Sequence, residues 1–266
     1  MNQISILGCG WLGFPLAKSL LNYGYVIKGA TTSTTKISNL KSAGIQPFLI
    51  CIDENGIDGN FDQFLLNSNI LIINIPPKLR GNQSESFSLK IQNCIPAIEK
   101  SGIKKVIFVS STSVYADDNS IVSPYTSCNP ESESGKQLLD VENILRINSH
   151  FKTTILRFGG LIGNDRHPIK MLSGKINIAN PEGAINLIHQ DDCIEIIKKI
   201  IQTDAFGKTF NAAAPYHPTR KEYYTQKATD LNLPLPQFDI TKPSFGKTIL
   251  SDYLCADLNF KFKNNL

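Results

Sequence analysis

The chain has 266 residues, 41% hydrophobic and 19% charged, with a net charge of +4. That charge content is too low for intrinsic disorder, and the length suffices for one large α/β domain or a cofactor domain with an appended lobe. The positive residues are scattered, which excludes the clustered basic face of a nucleic-acid binder, and no window approaches the roughly eighteen apolar residues of a membrane span.

Ile4–Leu7 reads as a first strand and Leu12–Tyr23 as a helix, with Leu16, Leu20 and Tyr23 on one face and Gly24 closing it. Between them stands Gly8-Cys9-Gly10-Trp11-Leu12-Gly13, a G-x-G-x-x-G in strand-to-helix context. Gly8 permits the tight turn, Gly10 lets the backbone approach a diphosphate, and Gly13 lets the helix pack against the strand. The helix N-terminus, with Trp11 and Leu12, offers unpaired N–H groups to the anion. Tyr25–Ala30 is a second strand, ending at Thr31-Thr32-Ser33 with Lys36 close behind. A carboxylate at this place binds the ribose 2′-hydroxyl of NAD. Hydroxyls and a lysine suit a 2′-phosphate instead, so NADP(H) is the preferred cofactor and NAD(H) the alternative.

Lys36–Ser42 reads as a helix and Gln46–Ile52 as a third strand. Ile70–Ile73 is a continuous apolar run, the mark of a strand covered on both faces. Pro76-Pro77 stops it, so Ile75 and Pro76 border the cofactor and Lys78 and Arg80 are candidate phosphate or substrate contacts. Phe87–Ser101 is a helix, Lys105–Val109 a fifth strand, Glu133–Ile147 a helix with Leu138, Val141 and Leu145 at helical spacing, and Thr153–Phe158 a sixth strand. This alternation implies a doubly wound parallel sheet of Rossmann type.

After Gly163 the rhythm breaks. Asp165–Asn186 is rich in Gly, Pro and Asn and reads as loop; Asp192–Thr203 is a helix with Asp191 or Asp192 as its N-cap; Lys208–Ala213 is another strand. Thr219 and Glu222 form a capping box, and Ser251–Phe262 is a short helix with a terminal turn. Residues 1–163 form the NAD(P)-binding Rossmann domain, and 164–266 combine its last elements with a small C-terminal α/β substrate lobe.

At Phe108-Val109-Ser110-Ser111-Thr112-Ser113-Val114-Tyr115 the chain resembles the extended short-chain dehydrogenases/reductases, which include nucleotide-sugar epimerases and dehydratases. Leu156–Gly163 is similar to that family's sixth strand and following loop, Asn186–Asp192 to the stretch that closes over the site, and Phe210–Ala213 to its last strand. The Arg166-His167-Pro168 segment resembles the atypical NAD-dependent epimerase/dehydratase members. The resemblance implies chemistry by a Ser, a Tyr and a Lys, the last two in Y-x-x-x-K. Tyr exchanges a proton with the substrate oxygen, Lys lowers the Tyr pKa and binds the nicotinamide ribose, and Ser orients the substrate. An unperturbed phenol near pH 10 is a poor base at neutral pH, hence the tuning.

Ser111 matches the family serine. Ser134 stands where the tyrosine belongs and Leu138 where the lysine belongs, so the dyad is absent. Tyr115 or Tyr125 could supply a phenol, Lys136 could reach the ribose by a register slip, and His189, Asp191 or Asp192 could act across the cleft. Tyr115 is the best placed of the tyrosines, because residues just past the fifth strand face the ligand edge. Arg166 and His189 are further candidate substrate contacts. Two functions follow: an NAD(P)-dependent oxidoreductase or epimerase/dehydratase-like protein acting on a carbonyl or sugar-like small molecule, or a non-catalytic NADP(H)-binding sensor or regulator.

The six cysteines form no C-x-x-C pair, so neither a metal site nor thiol–disulfide chemistry is expected. Cys51 and Cys193, in apolar runs, read as core residues. Free thiols and the lack of a basic, then apolar, leader make the cytoplasm the expected location. A small-molecule substrate is the expected partner, without nucleic acid or membrane, and the chain is expected to be a monomer or homodimer.

Overall fold

Seven strands, all paired in parallel, build the central sheet of the computed structural model, which describes residues 3–77 and 85–264. They are β1 (Gln3–Leu7), β2 (Val26–Thr31), β3 (Gln46–Leu49), β4 (Ile70–Ile73), β5 (Lys105–Ser111), β6 (Lys152–Phe158) and β7 (Thr209–Ala212). Their spatial order is β7-β6-β5-β4-β1-β2-β3. The chain therefore reverses direction of winding between β1 and β4, and the carboxyl ends of those two strands open a crevice there.

Alternation along the strands divides the core. Ile4, Ile6, Ile70 and Ile72 face helix α1 (Gly13–Asn22) and the later helix α7 (Gln190–Gln202). Leu71, Ile73, Val106 and Phe108 face α3 (Phe61–Leu65), α4 (Phe87–Ser101) and α5 (Glu133–Ile147). Each such aliphatic or aromatic side chain contributes roughly 1.5–3 kcal/mol on burial, which is why β4 can be apolar at every position. Helix α2 (Ile37–Ser42) follows β2, as expected. Helix α3 carries no long periodic signal, and Asn60 starts it by accepting the Gln63 N–H.

The expected third strand is shorter than its apolar run. It ends at Leu49, and Cys51–Ile52 pairs antiparallel with Ile57–Asp58 in a separate hairpin. Cys51 is exposed, correcting its reading as a core residue, whereas Cys193 is fully buried in α7.

Beyond Gly159 the chain builds a smaller layer. Gly160–Ile162 pairs in parallel with Leu187–His189, and α6 (Ile169–Leu172) packs on α8 (Arg220–Asp230) around Ile162, Ile169, Leu187 and Tyr224. The Thr219–Glu222 capping box starts α8 as the sequence implies. The N-cap of α7 is His189, whose ring accepts the Asp191 N–H, correcting the assignment to Asp191 or Asp192. Asp192 is instead buried and anchors the tail by accepting the Lys263 and Asn264 N–H groups. Helix α9 (Asp252–Leu258) returns the tail to the α1/α7 face. No helix among the described residues is long and apolar enough to cross a membrane.

Candidate active site

The glycine loop divides its three glycines by steric role. Gly8 has φ +104°, and a Cβ there would lie 2.5 Å from the Asn74 carbonyl oxygen. A Cβ at Gly13 would lie 2.2 Å from the Gly8 carbonyl oxygen. Gly10 is different: a Cβ there would meet nothing within 4 Å. Glycine at 8 and 13 is thus demanded by the fold, while at 10 it leaves open space beside the start of α1. No acidic residue occupies the first turn of that helix, so its positive end is uncompensated. Asn74 braces the loop by donating from Nδ2 to the Gly8 carbonyl at 3.0 Å.

Gly8, Gly10, Trp11 and Leu12 line a cleft of about 490 Å³ at the β1/β4 switch point, with Gly13 packed behind them. Thr31, Thr32 and Lys36 line it at the end of β2. Ser33 does not: its hydroxyl pairs with that of Thr35 at 2.7 Å. Ile75 and Pro76 form the wall after β4; Lys78 and Arg80 lie outside the described residues. Sequence reasoning missed Asn74, Phe87 and Lys90, which complete that end of the cleft. An asparagine interrupting the apolar run from Ile70 to Ile75 was the one available signal. Lys36, Lys90 and Arg166 give the lining three cations, and no carboxylate lines it among the described residues.

The other end is formed by Val109, Ser110, Ser111, Leu138 and Leu161. The Ser111 hydroxyl oxygen accepts the Ser113 N–H at 3.1 Å and keeps its own proton for a further partner. Helix α5 is pinned here, because a Cβ at Gly135 would stand 2.3 Å from the Ser113 carbonyl oxygen. That contact sets the face of α5: Leu138, 4% exposed, points to the cleft, while Lys136 is exposed and Ser134, half-buried, lies off the lining. The register slip that would bring in Lys136 does not occur.

Trp11 and Arg166 tie the two layers together over the cleft. The indole Nε1 donates to Asp165 Oδ1 at 2.9 Å, Gln190 Nε2 donates to the Trp11 carbonyl at 2.6 Å, and the Arg166 guanidinium lies 5.0 Å from the indole centroid.

The candidate acid–base groups are elsewhere. Tyr115 is 2% exposed, donates to Asn211 Oδ1 at 2.9 Å and receives a hydrogen bond from Arg157. Burial pushes its phenol up from the usual value, against the lowering effect of Arg157 and Asn211, the reverse of what a base requires. It does not line the cleft, correcting its placement at the ligand edge. Arg157 in turn is bonded through Nε to Glu142 at 3.0 Å, and Ser110 donates to Glu142 at 2.6 Å. This buried network replaces hydration for a fully buried carboxylate and a guanidinium. Tyr125 is exposed, and His189, Asp191 and Asp192 serve the N-terminus of α7 and the tail; none lines the cleft. No cluster of three or more His, Cys, Asp and Glu suited to a metal occurs among the described residues.

Sheet order, glycine loop and switch-point cleft define a doubly wound Rossmann-type α/β fold, and solved short-chain dehydrogenase/reductase and NAD-dependent epimerase/dehydratase structures share that fold. A UDP-glucuronic acid 4-epimerase from Bacillus cereus, solved with NAD, superposes with a TM-score of 0.80 at 17% identity, over 99% of this chain and 92% of that one. A short-chain dehydrogenase/reductase superfamily protein from Agrobacterium tumefaciens, with bound NAD, gives 0.75 at 15% identity over 99% and 93%. Protein YeeZ of Escherichia coli K12 is 32% identical over 265 residues, 99% of this chain and 96% of that protein. The chain belongs to the YeeZ family. No protein-family model matches it.

Proposed function

We propose that the protein binds a nicotinamide dinucleotide, NADP(H) in preference to NAD(H), and acts as an NAD(P)-dependent oxidoreductase or epimerase/dehydratase-like protein on a carbonyl or sugar-like small molecule. The observation that carries this reading is the open space at Gly10, in a cleft lined by three cations and no carboxylate among the described residues. Backbone N–H groups from Gly10 to Gly13 and the positive end of α1 suit a diphosphate. Thr31, Thr32 and Lys36 suit a 2′-phosphate, which a carboxylate at the end of β2 would repel. The solved relatives with NAD support the class of cofactor.

A bound nicotinamide supplies a hydride donor or acceptor at one ring carbon. For a substrate there, Ser111 is the hydroxyl of the lining that can donate to a carbonyl oxygen and orient it. Arg166 offers a charge for an anionic part of the substrate, and Trp11 limits water from above. Val109, Leu138 and Leu161 exclude water from the side.

One observation favours the second reading, a non-catalytic sensor of the cofactor. An aliphatic side chain, Leu138, stands where the resemblance calls for lysine, and no phenol or imidazole lines the cleft among the described residues. Leucine neither takes nor returns a proton.

The readings separate by experiment. An enzyme oxidises NADPH with some member of a carbonyl panel, and Ser111→Ala slows it. A sensor binds NADPH and NADP+ with different affinities and turns nothing over until Ser134→Tyr and Leu138→Lys are introduced together. Absence of calorimetric binding to either nicotinamide nucleotide refutes both.

A further inference from the structure

A second cavity, about 430 Å³, lies at the free β7 edge of the sheet and shares no lining residue with the cofactor cleft. Its charged residues come from three elements: Arg146 on α5, Arg157 on β6, and Lys208 just before β7. Two tyrosines flank them. Tyr125, 77% exposed, meets Tyr253 of α9 edge-on at 5.4 Å between centroids, and Tyr253 is fixed by stacking on Phe210 at 5.6 Å. No carboxylate lines this cavity among the described residues.

The charge does not cancel locally. Glu142, fully buried, pairs with Arg157 and stands 3.5 Å from Arg146, so one carboxylate serves two guanidinium groups. Lys208 pairs with Asp257. Three cations therefore meet two carboxylates, both set back from the lining. Asn211, 0% exposed, is paired in register with Arg157 on the same side of the sheet as Thr209 of the lining. Its Nδ2 has no hydrogen-bond partner among the described residues, and a buried donor left unpaired is costly. Guanidinium and ammonium groups converging on one small concavity are the chemistry that holds phosphate oxygens, and an exposed tyrosine face above them suits a ring.

We infer that this cavity is a binding site for a small organic phosphate, its oxyanion held by Arg146, Lys208 and the field of Arg157, and its ring laid against Tyr125. The site is also wired to the cofactor cleft. Arg157 is bonded to Glu142, and Glu142 accepts from Ser110, which lines that cleft.

The test uses the full chain without dinucleotide, titrated calorimetrically with phenyl phosphate and, separately, with inorganic phosphate at constant ionic strength. Saturable binding of phenyl phosphate is expected, tighter than that of inorganic phosphate. Arg146→Gln and Lys208→Gln should each weaken it roughly tenfold, the effect of one charge-assisted hydrogen bond, and Tyr125→Ala should remove the advantage over inorganic phosphate. Both cations are partly exposed, so an unchanged Tm in these variants is the control for folding. No binding overturns the site. Binding unchanged in the Arg146→Gln/Lys208→Gln double variant also overturns it, because the phosphate then sits on the glycine loop. Equal affinity for the two probes overturns the organic ligand. Lys208 and Tyr125 neither line the cofactor cleft nor contact Glu142, so NADP(H) titration of Lys208→Gln and Tyr125→Ala reports separately on the proposed function.

Discussion

Gly10→Ala separates the cofactor cradle from the fold. The structure bears out separate steric roles for the three glycines of the loop: an added methyl meets backbone at 2.5 Å at Gly8 and 2.2 Å at Gly13 and meets nothing within 4 Å at Gly10. Gly10 has no positive φ, so alanine is tolerated there, and reduced freedom of the unfolded chain favours it by about 0.4–1 kcal/mol. The variant should therefore keep or slightly raise Tm. Its methyl, however, takes the space in which a diphosphate must approach the N–H groups of α1. Loss of one charge-assisted hydrogen bond costs about 1.5–3 kcal/mol, so the Kd for NADPH should rise roughly tenfold to a hundredfold. Gly13→Ala must displace the Gly8 carbonyl and lowers Tm before any ligand is added. Calorimetry for affinity and a thermal melt for stability read the two effects separately. If Gly10→Ala binds NADPH as the parent does, the assignment of the open space to a diphosphate is wrong.

Lys36→Glu, an exposed change at the cleft rim, should weaken NADPH roughly tenfold through charge reversal while leaving NADH within about twofold; equal loss for both nucleotides refutes a 2′-phosphate site. Glu142→Ala leaves the buried Arg157 guanidinium without its partner and should cost about 3–5 kcal/mol, seen as a loss of roughly ten degrees in Tm, with Glu142→Leu/Arg157→Met losing far less. His167 accepts the Ile169 N–H at Nδ1, so its neutral ring carries the proton on Nε2, 3.0 Å from the Tyr223 hydroxyl. Burial first, then the charges of Lys227 and Lys170, lower its pKa from 6.5 to about 4. The folded state thus binds this proton less readily than the unfolded chain does. Its stabilising contribution is complete above pH 6.5 and is lost as pH falls from 6.5 through about 4. His167→Gln should flatten that acid limb in a pH series of thermal melts; an identical limb refutes the role.

The elements with strong periodicity were legible, because burial on both faces permits only apolar residues. Ile70–Ile73, the α4 and α5 ranges and the glycine loop follow from that rule and from backbone geometry. The apolar run at Gln46–Ile52 misled, since composition alone does not reveal that the strand ends at Leu49 and that Cys51 turns into an exposed hairpin. Tyr115 misled for a different reason. It stands in the right segment, yet its hydroxyl turns inward because Arg157 and Asn211, 42 and 96 residues away along the chain, complete its hydrogen bonds. Such long-range polar partners leave no local pattern. Asp191 and Asp192 look like helix caps by composition, and the tail's need for an acceptor at Asp192 prevails.

The absent dyad and the intact frame are separable properties of α5. What fixes this helix against β5 is Gly135 on the Ser113 carbonyl, Glu142 on Ser110 and Arg157, and the buried Leu138, Val141 and Leu145. None of those contacts involves the side chain of Ser134, so Ser134→Tyr changes no part of the frame. Leu138→Lys is harder: it removes an aliphatic side chain from a 4% exposed position and brings an ammonium to a wall shared with Val109 and Leu161. An unpaired charge there is costly, unless the anionic ligand or the ribose hydroxyls of a dinucleotide receive it. The double variant should therefore melt lower than the parent alone and regain part of the difference with NADPH, by more than the parent itself gains. Equal NADPH stabilisation of parent and variant would mean that position 138 does not face the nicotinamide ribose, and the inference from Leu138 to a lost proton relay would fail with it.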